Sequence, residues 1–596
     1  MLKLIAARTP SRASASHWID GAILALAASM FVFGTAMIIL RAAVLSTPVY
    51  SSDEFGHWAN SRYLAAHLAP ALFDPFLPQL NNHLYFLATG WIARAPEGAT
   101  AMRTLNYVFI ALSAVSIYSL ARTFVAMPLA VLAAAFVFAF GFTAYGVAVM
   151  PEMLFMFIMT GLALVMTRAW SPRRPIASFG VGVIVGALMM VKPHGIAVLL
   201  SSAATMIVVP VVLGRRLRAA MGAAPDLLAL VVGTSISIML IASLARGALV
   251  LSPAAFIGEF YSGVASSSTP FLATLVDIVR YFAGHCVVLL LFFSPTVVLG
   301  ASIVPWLLGN GVGERDAAKL RSLLVLTVFT LLSALSVFTM VSIFSHSAGG
   351  GLAFEANRIH GRYWGALIPL FVTMTMAVFS ISSRNQNVPS KAGRWAERAA
   401  GLIWLTVILI FALITSSSFA IYPWDFPELF AFYRPINPNW PYTAWLPWSF
   451  VLATVLLTAC AVAYFLLLPG RRLGYVASLA AVFVIGNVNT TGWQISIMPD
   501  LRPFVDAGQA VTRIVGRESE GLFVAPDYWG RRPYVAFQLP ITTHVAVKPE
   551  NATLSEADLP PSATWVLTMG PYAVQFPYSK AIPLATLTLY LRGTQP

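Results

Sequence analysis

The sequence predicts an all-α polytopic membrane protein with a small extracytoplasmic α/β domain at its C-terminal end. Of the 596 residues, 58% are hydrophobic and only 10% are charged, which is far from the balance of soluble globular proteins. The apolar segments are about 18 to 25 residues long, which suits membrane-spanning helices and is too long for the strands of a β-barrel. Polarity becomes ordinary after Trp493, with short apolar runs typical of strands. We therefore expect a transmembrane domain, 1–492, followed by a soluble domain, 493–596.

Basic residues predict how the spans are oriented. Lys3, Arg8 and Arg12 precede the first apolar segment, which places the N-terminus in the cytoplasm by the positive-inside rule. Basic loops then alternate with apolar spans, which gives about thirteen transmembrane helices and a periplasmic or extracellular C-terminal domain. The net charge of +14 is explained by these loops, so we expect contact with membrane lipids of the cytoplasmic (inner) membrane and no nucleic-acid partner.

The first external loop, 46–102, contains two short amphipathic segments. They are predicted to be helices that lie in the lipid headgroup layer, where rings such as those of Trp58, Tyr63, Tyr85 and Trp91 are favoured. The first of these segments begins with adjacent acidic residues.

Ionisable residues collect at predicted helix ends on the external side and are nearly absent from the spans. A transporter would place such groups within its spans, along the path of its cargo. The position of these ionisable residues on one side of the membrane favours chemistry at its outer interface. The residues are Asp53, Glu54, Glu152, Lys192, His194, Glu259, Glu355, Arg358, His360, Arg362, Asp425 and Arg434.

An ordered set of short motifs carries a family resemblance over roughly residues 15 to 380. It consists of an acidic pair after the first helix, a Pro-Glu that opens the fourth helix, a Lys-Pro that ends the fifth, and an Arg-rich segment that leads to a later proline. The residues are Asp53-Glu54, Pro151-Glu152, Lys192-Pro193 and Arg358 to Tyr363 with Pro369. With this set the sequence resembles the GT-C superfamily of membrane glycosyltransferases, especially the branch of the protein O-mannosyltransferases and the lipid A aminoarabinose transferases.

The resemblance implies a GT-C fold and transfer of a sugar from a polyprenyl-phosphate donor to a cell-envelope acceptor, with inversion at the anomeric carbon. A carboxylate must accept the proton of the acceptor hydroxyl. Asp53 is the expected general base and Glu54 the second candidate, and because adjacent side chains diverge, only one of them should face the cavity. Glu152 is expected to position the acceptor or a metal ion.

Cationic and polar residues are expected to bind the donor phosphate, because Arg pairs phosphate oxygens as a fork and Lys supplies a point charge. They are Lys192, His194, Arg358, His360 and Arg362. Asp53 and Glu152 would also suit Mg²⁺ or Mn²⁺ through oxygen, but without a dense carboxylate cluster no metal is predicted as a requirement. The sequence has no P-loop or Rossmann fingerprint, which agrees with a lipid-linked donor.

Simpler interpretations stand beside these. The segment from Ser51 to Glu54 is also a good helix start, and Glu152 suits the first turn of a helix. Lys192 would also reach the headgroups, and Arg358 and Arg362 would also bind lipid phosphates without chemistry. For the histidines near aromatic residues, among them His57, a structural role is preferred. At the level of the whole chain, the alternatives are a transporter or flippase for lipid-linked saccharides, or a non-catalytic assembly subunit.

Overall fold

The computed structural model describes residues 12–45, 48–49, 51–77, 80–95, 97–214, 218–251, 271–309, 314–349, 360–384, 390–415, 427, 471–527 and 530–593. Several of the residues discussed in the sequence analysis lie outside these ranges. They are Glu259, Glu355, Arg358, Asp425 and Arg434.

Long apolar helices form the body of the protein. Within the described ranges, seven helices are long and apolar enough to cross a membrane, or eight if one bent pair counts as a span. The chain is thus a multi-pass membrane protein, although the predicted number of thirteen spans is not confirmed. The helices are α1 (Arg12–Val44), α2 (Ser51–Ala65), α3 (His83–Ala93), α4 (Gly98–Ala121), α5 (Met127–Ala139), α6 (Glu152–Arg168), α7 (Pro175–Val191), α8 (Gly195–Gly214), α9 (Arg218–Met221), α10 (Ala224–Arg246), α11 (Phe271–Gly309), α12 (Glu314–Gly349), α13 (Ile368–Arg384), α14 (Ser390–Thr415), α15 (Arg471–Ser496), α16 (Met498–Val515) and α17 (Arg532–Ala536).

Helix α5 bends by 53° into the 3₁₀ turn Gly141–Val147. A break in a membrane-embedded helix frees backbone carbonyls, which need partners because lipid offers none. Asn487 on α15 donates its Nδ2 to the carbonyl oxygens of Ala139 (2.9 Å) and Phe140 (3.3 Å). The fully buried Arg41 on α1 in turn donates to the Asn487 side chain. This polar cluster joins α1, α5 and α15 just ahead of the segment that leads to α6.

The strands of the C-terminal domain are β1 (Gly521–Ala525), β2 (Thr543–Val547), β3 (Thr553–Leu554), β4 (Trp565–Met569), β5 (Ala573–Val574), β6 (Lys580–Leu584) and β7 (Leu587–Leu591). Five of them form a mixed sheet in the order β2-β1-β4-β7-β6. β1 pairs in parallel with β2 and β4, whereas β7 is antiparallel to β4 and β6. This confirms the predicted small α/β domain, and residues 506–515 form the second half of α16.

The two predicted helices of the first external loop are present as α2 and α3. The expectation that their aromatic rings face the headgroup layer is wrong for Trp58, Tyr63 and Tyr85, which are all buried within the protein. Only the ring of Trp91 is open, at 73% exposure. Helices α2 and α3 therefore pack three of these four rings against protein.

Candidate active site

Helix α2 directs its two acidic residues to different places, because successive side chains on a helix diverge by about 100°. Glu54 is fully buried, and its Oε1 accepts hydrogen bonds from Arg103 Nη2 (3.0 Å) and from the backbone N of Val149 (3.0 Å). Its Oε2 accepts one from the backbone N of Val49 (2.8 Å). Through these contacts Glu54 joins the segment after α1 to α4 and to the segment before α6.

Replacing Glu54 with Gln is expected to lower the free energy of unfolding by about 1–3 kcal/mol. The amide nitrogen of Gln cannot accept a hydrogen bond, so at least one of these buried donors loses its partner. The thermal melting temperature of the purified protein in detergent measures this effect. Asp53→Asn is the matched control on the preceding residue and should melt close to the wild type. Equal melting temperatures for wild type and Glu54→Gln would contradict the structural role.

Asp53 lies on the open side of α2, with 52% of its side chain exposed. Its Oδ2 accepts a hydrogen bond from Arg362 Nη1 at 2.6 Å. Burial raises the pKa of Asp53, but the charge and hydrogen bond of Arg362 outweigh this effect and hold the pKa below that of an ordinary aspartate. Asp53 is thus ionised at neutral pH and within reach of a ligand.

Arg362 joins Asp53 to a second, buried ion pair. Its Nε donates to Glu152 Oε1 at 2.6 Å, and Lys192 Nζ donates to the same oxygen at 3.0 Å. These four side chains, Asp53, Arg362, Glu152 and Lys192, are called the charge cluster below. The cluster holds two negative and two positive charges, and each comes from a different element.

The ends of helices place these side chains. Glu152 is the first residue of α6, where the helix dipole favours an acid. Lys192 follows the last residue of α7 in an extended conformation (φ −147°, ψ 135°), which ends the helix. Arg362 lies in the short 3₁₀ turn Gly361–Tyr363, ahead of α13. Irregular backbone at helix ends thereby brings together residues that are distant in sequence.

The two histidines that were predicted to bind the donor phosphate lie against an aromatic ring beside this cluster. The His194 ring stacks on Tyr363 with centroids 4.2 Å apart, and the His360 ring lies 5.6 Å from the same ring. Lys192 Nζ is 5.4 Å from the Tyr363 centroid, at cation–π distance. The ring of Tyr363 thus links both His194 and His360 to the charge cluster.

His57, for which the sequence favours a structural role, also lies beside the charge cluster. It lies one helical turn after Asp53 and is buried, and its Nδ1 makes no hydrogen bond to a described residue. Burial lowers the pKa of His57 to about 4, so its ring is neutral at pH 7; among charged side chains, Glu152 acts on it most strongly, followed by Asp53. The spacing of four residues from Asp53 was the signal that would have placed both side chains on one helix face.

The described residues do not fit a dedicated metal site. Among them there is no group of three or more His, Cys, Asp or Glu side chains that could hold an ion. Asp53 and Glu152, the two suggested ligands, are instead bridged by the guanidinium of Arg362.

No protein-family model matches the chain, and no curated protein matches it. Among solved structures it is similar to ArnT from Cupriavidus metallidurans bound to undecaprenyl phosphate, with 13% identity and a TM-score of 0.45 over 98% of this chain and 99% of that chain. It is also similar to the oligosaccharyltransferase of Archaeoglobus fulgidus tethered with an acceptor peptide containing the NVT sequon, with 12% identity and a TM-score of 0.39 over 87% of this chain and 64% of that chain. Both belong to the GT-C superfamily, the class that the sequence motifs resemble. At such identities and TM-scores, the function of this chain is inferred from its own side chains.

Proposed function

We propose that this protein is an inverting glycosyltransferase of the GT-C type. It transfers a sugar from a polyprenyl-phosphate donor to a cell-envelope acceptor, a lipid, glycan or protein, at the outer face of the cytoplasmic membrane. The observation that carries the proposal is the charge cluster at the helix ends of a multi-pass membrane protein. One accessible carboxylate there is linked through a single arginine to a buried acid and a lysine.

Asp53 supplies the base in this proposal. As the acceptor oxygen forms its bond to the anomeric carbon, the hydroxyl proton passes to the Asp53 carboxylate. The bond from the anomeric carbon to the phosphate oxygen breaks on the opposite face, and its electron pair leaves with the lipid phosphate. Attack and departure on opposite faces invert the anomeric centre. Asp53 is exposed enough for an acceptor to reach, whereas Glu54 is not.

Arg362 and Lys192 would stabilise the charge that grows on the departing phosphate. Both cations are paired with carboxylates in the structure, so a phosphate at Arg362 competes with Asp53 for the guanidinium. If Arg362 turns to the phosphate, Asp53 loses the partner that lowers its pKa and becomes a stronger base. Donor binding would thereby prepare the base for the acceptor.

Two buried polar atoms, one in the charge cluster and one beside it, support recognition of a hydroxyl group. Glu152 Oε2 and His57 Nδ1 make no hydrogen bond to any described residue. Buried polar atoms without partners are costly, and a ligand that satisfies them recovers this cost on binding. A carboxylate oxygen accepts hydrogen bonds, and a neutral imidazole nitrogen donates or accepts one depending on its tautomer. A sugar hydroxyl fits both.

The proposal is tested with purified protein in lipid and a panel of labelled polyprenyl-phosphate sugars, together with an envelope extract as acceptor source. With at least one donor, we expect one molecule of polyprenyl phosphate to be released for each molecule of labelled product formed. Asp506→Asn is the control for the effect of replacing a carboxylate as such. The side chain of Asp506 is 60% exposed on α16 and lies away from the charge cluster. Movement of intact donor across liposomes without product would favour a flippase instead, and neither transfer nor movement would favour an assembly subunit.

A further inference from the structure

Helix α2, which carries Asp53, contacts three parts of the protein. Asp53 and His57 share the face at the charge cluster, because residues four apart on a helix lie one above the other. Glu54 points into the core of the membrane domain. Trp58 and Arg62, which follow Glu54 at intervals of four residues, contact the C-terminal domain. The helix thus lies between the proposed active site and the soluble domain.

The Trp58 face is attached to the segment that begins with α17. The Trp58 ring stacks on Phe537 with centroids 5.2 Å apart and planes 21° apart, and its Nε1 donates to the Phe537 carbonyl at 3.0 Å. Arg62 Nη1 donates to the carbonyl of Leu539 at 3.1 Å, while its guanidinium lies 5.3 Å over the Trp58 ring. These contacts fix the rotation of α2 about its own axis.

A buried ion pair makes a second attachment. Arg532 Nη1 lies 3.0 Å from Asp74 Oδ2, in the loop after α2, and both side chains are buried. The Arg532 guanidinium also lies 5.2 Å over the ring of Phe55, two residues from Asp53. The backbone N of Val545 on β2 donates to the carbonyl of Phe73 at 2.7 Å. The first external loop and the C-terminal domain therefore pack as a joined structure.

We infer that the C-terminal domain is a positioning element for the active site: its contacts with Trp58, Arg62, Phe55 and Asp74 hold α2 so that Asp53 stays beside the charge cluster. The catalytic part of this inference rests on the proposed function, whereas the attachment of α2 does not. Displacement of a reacting group by about 1 Å can cost about 10²-fold in rate, so loosening α2 should act on turnover.

Phe537→Leu tests the inference, because it removes the ring that stacks on Trp58 at a distance from the charge cluster. Phe576→Leu is the matched control: the same substitution in the same domain, equally buried, but in a separate apolar cluster with Leu522 and Val524. In Phe537→Leu alone, amide hydrogen exchange of residues 55–65 should accelerate about tenfold or more. With an active donor, kcat should fall about tenfold or more at unchanged donor KM.

A pH profile separates positioning from simple loss of stability. If α2 moves away from Arg362, the acid-side loss of activity in Phe537→Leu should begin at higher pH than in the wild type, because Asp53 loses the interaction that lowers its pKa. Trp58→Leu, which removes the other ring, should give the same changes and replaces Phe537→Leu if that variant does not fold.

Unchanged exchange of α2 in both variants would overturn the attachment. Faster exchange with unchanged kcat and pH profile would overturn the positioning role. If the wild type transfers no sugar, the proposed function fails, and hydrogen exchange alone still decides whether the domain holds α2.

Discussion

Asp53→Asn is expected to lower kcat by about 10²- to 10⁴-fold while the protein still binds a polyprenyl-phosphate donor. The amide of Asn cannot take the acceptor proton. It keeps the shape of the aspartate side chain, and its oxygen can still accept the hydrogen bond from Arg362. Single-turnover transfer of labelled sugar, measured beside donor binding by the same protein, separates the two effects.

Asp506→Asn is the control for this experiment, since it removes an exposed carboxylate from a surface ion pair with Arg502. Surface pairs of this kind contribute little to stability, so this variant should keep wild-type turnover and melting temperature. Full activity of Asp53→Asn would remove Asp53 as the base. Loss of donor binding together with turnover would make Asp53 a binding residue instead.

Arg362→Gln is expected to lower kcat/KM by about 10²- to 10³-fold, the usual cost of removing one group that stabilises developing charge. The substitution removes the cation shared by Asp53 and Glu152 and leaves Lys192 as the one partner of Glu152 in the charge cluster. Donor titrations at fixed acceptor concentration measure how the loss divides between kcat and KM. Arg362→Lys is the matched control, because it keeps the charge without the fork and should recover part of the activity.

The same variant should change the pH dependence in a defined direction. In the wild type Asp53 has a lowered pKa, so the active, ionised form persists until the pH falls through that lowered value. Without Arg362 the pKa rises, and activity should therefore begin to fall at a higher pH. Profiles of kcat/KM between about pH 3.5 and 7 would show the shift, since an ordinary aspartate titrates near 3.9. Superimposable acid limbs for wild type and Arg362→Gln would show that Asp53 is not the titrating base.

The charge cluster is electrically balanced in the described structure, and this bears on how a phosphate enters. Two carboxylates neutralise Arg362 and Lys192, so the cluster offers a phosphate no net positive charge. A bound phosphate would gain most by replacing Asp53 at the accessible end, because the Glu152 end is buried. Binding of the donor and release of the base would thus be one event at one guanidinium.

The sequence by itself determined much of the architecture. The length and composition of its apolar segments predicted a helical multi-pass protein, because a bilayer requires helices of that length with satisfied backbone groups. The change in polarity after Trp493 predicted a small α/β domain, and the structure contains a mixed sheet there. The same patterns placed Asp53, Glu152, Lys192 and Arg362 at helix ends.

Only the tertiary structure decided which of these residues meet. Asp53 and Glu54 are indistinguishable in a local pattern, and the difference arises because Glu54 meets Arg103 on α4 whereas Asp53 meets Arg362 near α13. The attachment of Trp58 to Phe537 joins residues from opposite ends of the chain. Helical periodicity predicts which side chains share a face, but it does not predict which residues of other segments pack against that face. The partners of a buried charge are set by packing between distant segments, and these contacts separate the candidate base from its structural neighbour.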